Sequence, residues 1–151
     1  MLGHRSCLTH AVTLTMKQYR TIDTERGQTF QKLTVEDARA NFRHFMNRLN
    51  RSMYGNGPKR LYVIPVLEGI ETGKHLHYHC AFGNFREEKS HDEIVEAIRD
   101  AWQKTSFGNE QIDVQMMYGD DWLTYITKEV GMGNADNVDY GNAHVPDVRQ
   151  K

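Results

Sequence analysis

The chain has 151 residues, 38% of them hydrophobic and 26% charged, with a formal net charge of −1 and a pI near 6.7. That is one domain's worth of polypeptide, with apolar residues enough for a core. No apolar run approaches the length of a membrane span, no signal-peptide segment follows Met1, and the charge balance excludes coating nucleic acid by bulk electrostatics while leaving room for a local basic groove.

A cytoplasmic location is therefore expected, with no membrane partner. Cys7 and Cys80 stand outside any Cys-x-x-Cys pair, which fits a reducing compartment without excluding a disulfide.

Residues 7–17 alternate apolar and polar, with Val12, Leu14 and Met16 on one side and Thr13 and Thr15 on the other, and predict a first strand. Residues 19–32 are polar and aperiodic, and read as a connection with at most a short strand near Phe30. Thr34 followed by Glu36 and Asp37 is a helix start. Val35, Ala38, Phe42, Phe45, Met46 and Leu49 then mark one apolar stripe, and the helix is expected to run to about Asn50. Its other side carries Arg39, Arg43 and Arg48. A phosphate-binding surface and a solvated helix face are both open readings of it.

Gly55-Asn-Gly-Pro58 is a turn, and residues 60–68 predict a buried strand in which Pro65 marks a bulge or an edge position. A short loop leads into Lys74-His-Leu-His-Tyr-His-Cys-Ala-Phe82, so these two strands should form an antiparallel hairpin. Ser90-His-Asp-Glu93 is a capping box ahead of an apolar stripe from Ile94 to Trp102 and predicts a second helix. Residues 111–117 alternate as another strand. Residues 119–130 read as a third, short helix with Asp120 or Asp121 at its N-cap. Residues 131–151 show no period and read as a loop-like tail or a frayed end. The order of elements predicts a single α+β domain: an antiparallel sheet of about five strands with helices packed on one face.

Chemistry concentrates at two places. His75, His77 and His79 alternate, so one strand face carries all three while Leu76, Tyr78, Cys80 and Phe82 face the core. Imidazole is the commonest protein ligand for a divalent cation, and the hairpin would bring Glu68 beside the histidines. Ordinary surface histidines and a strand-end acid remain the alternative. In the third helix, Trp122, Leu123, Ile126 and Val130 make the core stripe and leave Tyr125 and Lys128 as neighbours on another side. A phenol can act as a nucleophile and an ammonium can stabilise charge beside it.

An acid, a His-hydrophobe-His strand and, after a helix, Tyr-x-x-Lys resemble the HUH endonuclease superfamily, and in particular its single-tyrosine rolling-circle replication initiators (Rep proteins). The resemblance rests on Thr13-Leu14-Thr15, Glu68, His77-Tyr78-His79 and Tyr125-Ile126-Thr127-Lys128, in the family's order. It implies a ferredoxin-like or RRM-like sheet and Mn²⁺ or Mg²⁺ held by His77, His79 and Glu68. It also implies Tyr125 as the nucleophile that forms a 5′-phosphotyrosine, with Lys128 at the phosphate.

The pair can also be taken as His75-Leu76-His77, and His75 stays open as a further ligand, a group supporting the ligands or a DNA contact. Relaxases place the tyrosine ahead of the histidines, and the transposase branch lacks this Tyr-x-x-Lys spacing. Both rank below the initiators.

The implied partner is single-stranded DNA at a replication origin, nicked and rejoined on the open sheet face, with Thr13, Thr15, Arg39 and Arg43 as candidate contacts. No Walker-type loop is present, so unwinding falls to a host or separate helicase. A monomer or weak oligomer is expected. Two rival readings are a non-catalytic single-strand-binding domain and a metal enzyme unrelated to DNA, for which Tyr125 would be irrelevant.

Overall fold

The computed structural model describes residues 7–70, 75–118 and 137–145. The elements are β1 (His10–Met16), β2 (Tyr19–Thr24), β3 (Gly27–Lys32), α1 (Val35–Tyr54), β4 (Tyr62–Glu68), β5 (His77–Gly83), α2 (His91–Gln103) and β6 (Gly108–Met116), with a 3₁₀ turn at Tyr140–Asn142. The α+β architecture is as expected. The main antiparallel sheet has four strands in the order β4-β5-β1-β6, and β2 and β3 form a separate hairpin.

That hairpin replaces the expected connection at residues 19–32. Almost every residue of it faces solvent, so it shows no apolar alternation from which to read it. Glu25 and Arg26 make its two-residue turn, and Gly27 supplies the positive φ of 109°.

Both helices start where the sequence places them. The Asp37 amide donates to Thr34 Oγ1 at 3.0 Å and the Glu93 amide to Ser90 Oγ at 3.1 Å, each completed by a reciprocal carboxylate contact. α1 runs one turn beyond Asn50 because Met53 is also buried, and it stops at Gly55, whose φ is 65°.

The two helices pack on the face of the sheet that carries Val12, Leu14, Tyr78, Cys80 and Phe82. Phe42 lies 4.4 Å from the Tyr78 ring, and Phe45 meets both Phe82 and Trp102 edge-on. The Trp102 indole donates to the Thr15 carbonyl at 2.7 Å and ties α2 to β1.

β4 is an edge strand, which accommodates Pro65. Its outer side is covered by residues 137–145, part of the stretch read as a loop-like tail. Val138 bridges Val66, His144 bridges Val63, and the Asp139 amide donates to the Pro65 carbonyl at 2.9 Å. Asp139 is buried beneath α1, where its carboxylate accepts from the Tyr78 hydroxyl at 2.8 Å and from Asn142 Nδ2 at 2.7 Å. Among the described residues, no helix is long and apolar enough to cross a membrane.

Candidate metal centre on the open sheet face

The strand registers lay out the uncovered face in rows. Glu68, His77 and Thr15 form one row; Val66, His79, Thr13 and Asp113 form the next; Ile64, Ala81, Ala11 and Gln115 follow. The histidine comb and the acid at the end of the preceding strand therefore meet because the hairpin pairs Glu68 with His77.

One carboxylate oxygen, Glu68 Oε1, lies 3.2 Å from His77 Nε2 and 3.0 Å from His79 Nε2, and all three side chains are half-buried. Their candidate ligand atoms fall within 4.8 Å of one another.

The opposite ring nitrogens are also engaged. His77 Nδ1 sits 2.7 Å from the His75 carbonyl and His79 Nδ1 lies 3.2 Å from Thr13 Oγ1. A carbonyl only accepts, so Nδ1 of His77 carries its proton, and in the neutral ring Nε2 is a bare lone pair aimed at a carboxylate. Two acceptors at that distance need a cation between them, either a proton or a metal ion. A carbonyl or hydroxyl behind each ring also fixes a metal-binding imidazole in its ligating tautomer. The three residues thus fit a divalent cation, and this His/His/Glu group could hold one.

Of the sequence candidates, Glu68, His77 and His79 converge, and Thr13 and Thr15 flank them on β1. His75 stands outside the cluster: its backbone, at φ 47°, supplies the carbonyl behind His77. Gln18 holds that approach in place by accepting from the Leu76 amide at 3.0 Å and donating to the Leu76 carbonyl at 3.1 Å. Neither this clamp nor the Thr13 contact has a signal in a single sequence. A polar cavity of about 390 Å³ adjoins His77, lined by Thr15, His75, Asn109 and Gln111 among others.

Arg39 and Arg43 lie on α1, behind the sheet from the histidines. The Arg39 guanidinium faces Asp139 at 4.0 Å, and Arg43 is exposed on the helix layer. Arg48 and Arg51 line a cationic groove of about 360 Å³ with His44 and Lys104, again on the helix layer. The predicted third helix at 119–130, with Tyr125 and Lys128, lies outside the described residues.

Tyr78, although between the two histidines in sequence, faces the core. Burial, reinforced by the Asp139 carboxylate, pushes its phenol far above the ordinary range, which removes it as a nucleophile. Burial does the same to the Cys80 thiol.

Fold and site together define an α+β domain with a His/His/Glu group on the open face of its antiparallel sheet. The ORF2-type family of replication-associated proteins matches residues 9–130, and the chain belongs to that family. Membership gives it a place in DNA replication and points to replication initiation. No curated protein and no solved structure matches the chain.

Proposed function

We propose that the chain is an HUH-type endonuclease and strand transferase that nicks and rejoins single-stranded DNA at a replication origin, initiating rolling-circle replication. The observation that carries this reading is the convergence of His77 Nε2 and His79 Nε2 on one oxygen of Glu68, on a sheet face with room for a strand. Glu68, His77 and His79 would hold Mn²⁺ or Mg²⁺, which when bound supplies Lewis-acid polarisation of a scissile phosphate.

In this reading Tyr125 attacks the phosphorus. A bond forms between the phenolic oxygen and phosphorus, the bond to the 3′ oxygen breaks, and the departing 3′ oxygen takes up a proton as the phenol loses one. The 5′-phosphotyrosine keeps the phosphodiester's energy, so attack by a 3′-hydroxyl reverses the step and joins strands without a nucleotide cofactor. Lys128 neutralises charge on the phosphate.

The anchors on either side of the tyrosine support the assignment. The Met117 amide donates to the Thr9 carbonyl at the β6 edge, and Val138 bridges Val66 at the β4 edge, beside His79. α1 and α2 occupy the other face, so a path between these anchors over the open face brings Tyr125 within reach of the histidines.

The test is incubation with labelled single-stranded origin DNA and Mn²⁺, beside Tyr125→Phe, on denaturing gels. A covalent adduct that needs both metal and Tyr125 is the expected result. Binding without any adduct across metals and sequences would leave a non-catalytic single-strand-binding domain.

A further inference from the structure

A second cavity, of about 410 Å³, opens at the opposite end of the sheet from Glu68. It lies between His10 at the start of β1, Phe85 and Lys89 in the β5–α2 loop, His91 in the first turn of α2, and Met116 at the end of β6. Its volume is in the range of small-molecule sites.

Three rings shape it. His10 and His91 stack with centroids 5.8 Å apart and planes 9° off parallel, and Phe85 meets His10 edge-on at 4.9 Å.

The polar accounting is incomplete. His10 is only 4% exposed, and while its Nδ1 lies 2.7 Å from Thr9 Oγ1, its Nε2 is buried with no partner among the described residues. His91 Nδ1 is in the same condition. Buried nitrogens without partners cost about 1–3 kcal/mol each, so two at one cavity call for an occupant that can hydrogen-bond.

We propose that this cavity is a base pocket, which takes one nucleobase of the single strand lying on the open face, at a distance from the nicked phosphate. The inference rests on the single-strand reading above. A nucleobase offers flat faces for the rings and an edge with both donors and acceptors for the two imidazole nitrogens.

An isolated phosphate fits worse, because the Glu87 carboxylate also lines the cavity. Burial, aided by His91, pushes the His10 pKa down to about 4, which keeps that ring uncharged at neutral pH. Lys89 at the rim suits the backbone that follows the base. The place is also right for a strand on the open face. Thr9 lies beside the cavity, and from His79 to Gly83 is four residues, or about 13 Å along β5.

The experiment is fluorescence anisotropy of the full chain with a labelled mixed-sequence single strand, and with the same backbone carrying abasic sites throughout. It is run on the wild type, Phe85→Ala and His91→Ala, with thermal melts to check folding. His91→Ala keeps the Ser90–Glu93 capping box, so it decides if Phe85→Ala fails to fold.

The expected result is that the variants bind intact DNA about tenfold more weakly, the worth of one stacked base, and abasic DNA as the wild type does. Unchanged binding of intact DNA, or equal weakening on both DNAs, overturns the pocket alone. No binding of intact DNA by the wild type overturns the single-strand reading as well, which tells the two failures apart.

Discussion

Tyr78 and His79 are neighbours in the chain and live in different media. Tyr78 packs against Phe42 and donates to a buried carboxylate, whereas His79 stands half-exposed among a threonine, a second histidine and an acid. The same alternation along β1 puts Val12 and Leu14 in the core and Thr13 and Thr15 outside. A strand's twofold period thus lets one ladder hold the fold together with one set of residues and build a reactive surface with the other. The two sets should respond separately to substitution.

The largest effect belongs to the covered face. Phe42→Ala opens a cavity under Tyr78 and should cost about 4 kcal/mol in chemical denaturation, with metal binding preserved in whatever fraction stays folded. Next comes His10, a histidine on the covered side of β1. Its pKa is about 4 in the folded chain against 6.5 unfolded, so between those values the unfolded state binds the extra proton. Stability should be fully present above about pH 6.5 and fall by roughly 3 kcal/mol as pH drops to about 4. Urea titrations across that range, with His10→Gln flattening the profile, check it.

On the open face the order of effects reverses. His79→Ala should lower Mn²⁺ affinity about a hundredfold or more by calorimetry, while shifting stability in chelator by less than about 0.5 kcal/mol. Loss of affinity accompanied by unfolding would break the division between the faces. Tyr78→Phe sharpens it from the other side. It strands part of the Asp139 carboxylate and should cost about 2 kcal/mol with Mn²⁺ affinity unchanged.

What could be read in advance followed from periodicity and local chemistry. The capped helices, the hairpin between β4 and β5 and the Glu68-His77-His79 grouping are all set within short windows of sequence, where side-chain period and cap residues act. The β2–β3 hairpin escaped because both its faces are wet and polar. Residues 137–145 escaped because their order comes from elsewhere: Asp139 is held by Tyr78, sixty-one positions away, and Asn142 by the Arg39 carbonyl. The arginines of α1 were legible as a charged stripe, but which side of the sheet that stripe faces is a tertiary fact. The same holds for the orphaned nitrogens of His10 and His91, from a strand and a helix that only the fold brings together.

The smallest expected effect concerns Thr13, which lies on the dividing line. Its hydroxyl is 3.2 Å from His79 Nδ1, the nitrogen turned away from Glu68. If that contact fixes the ring, the hydroxyl accepts from Nδ1–H and leaves the Nε2 lone pair to ligate. Thr13→Val keeps the β-branched shape and removes the acceptor, so Mn²⁺ affinity should fall about tenfold with little change in stability, and Thr13→Ser should restore it. A DNA contact at the same hydroxyl gives a different pattern, with metal affinity intact in Thr13→Val and single-strand binding weakened in the absence of metal. Calorimetry with Mn²⁺ alone and anisotropy with DNA alone separate the two, and they decide whether β1's exposed threonines serve the metal or the strand that crosses it.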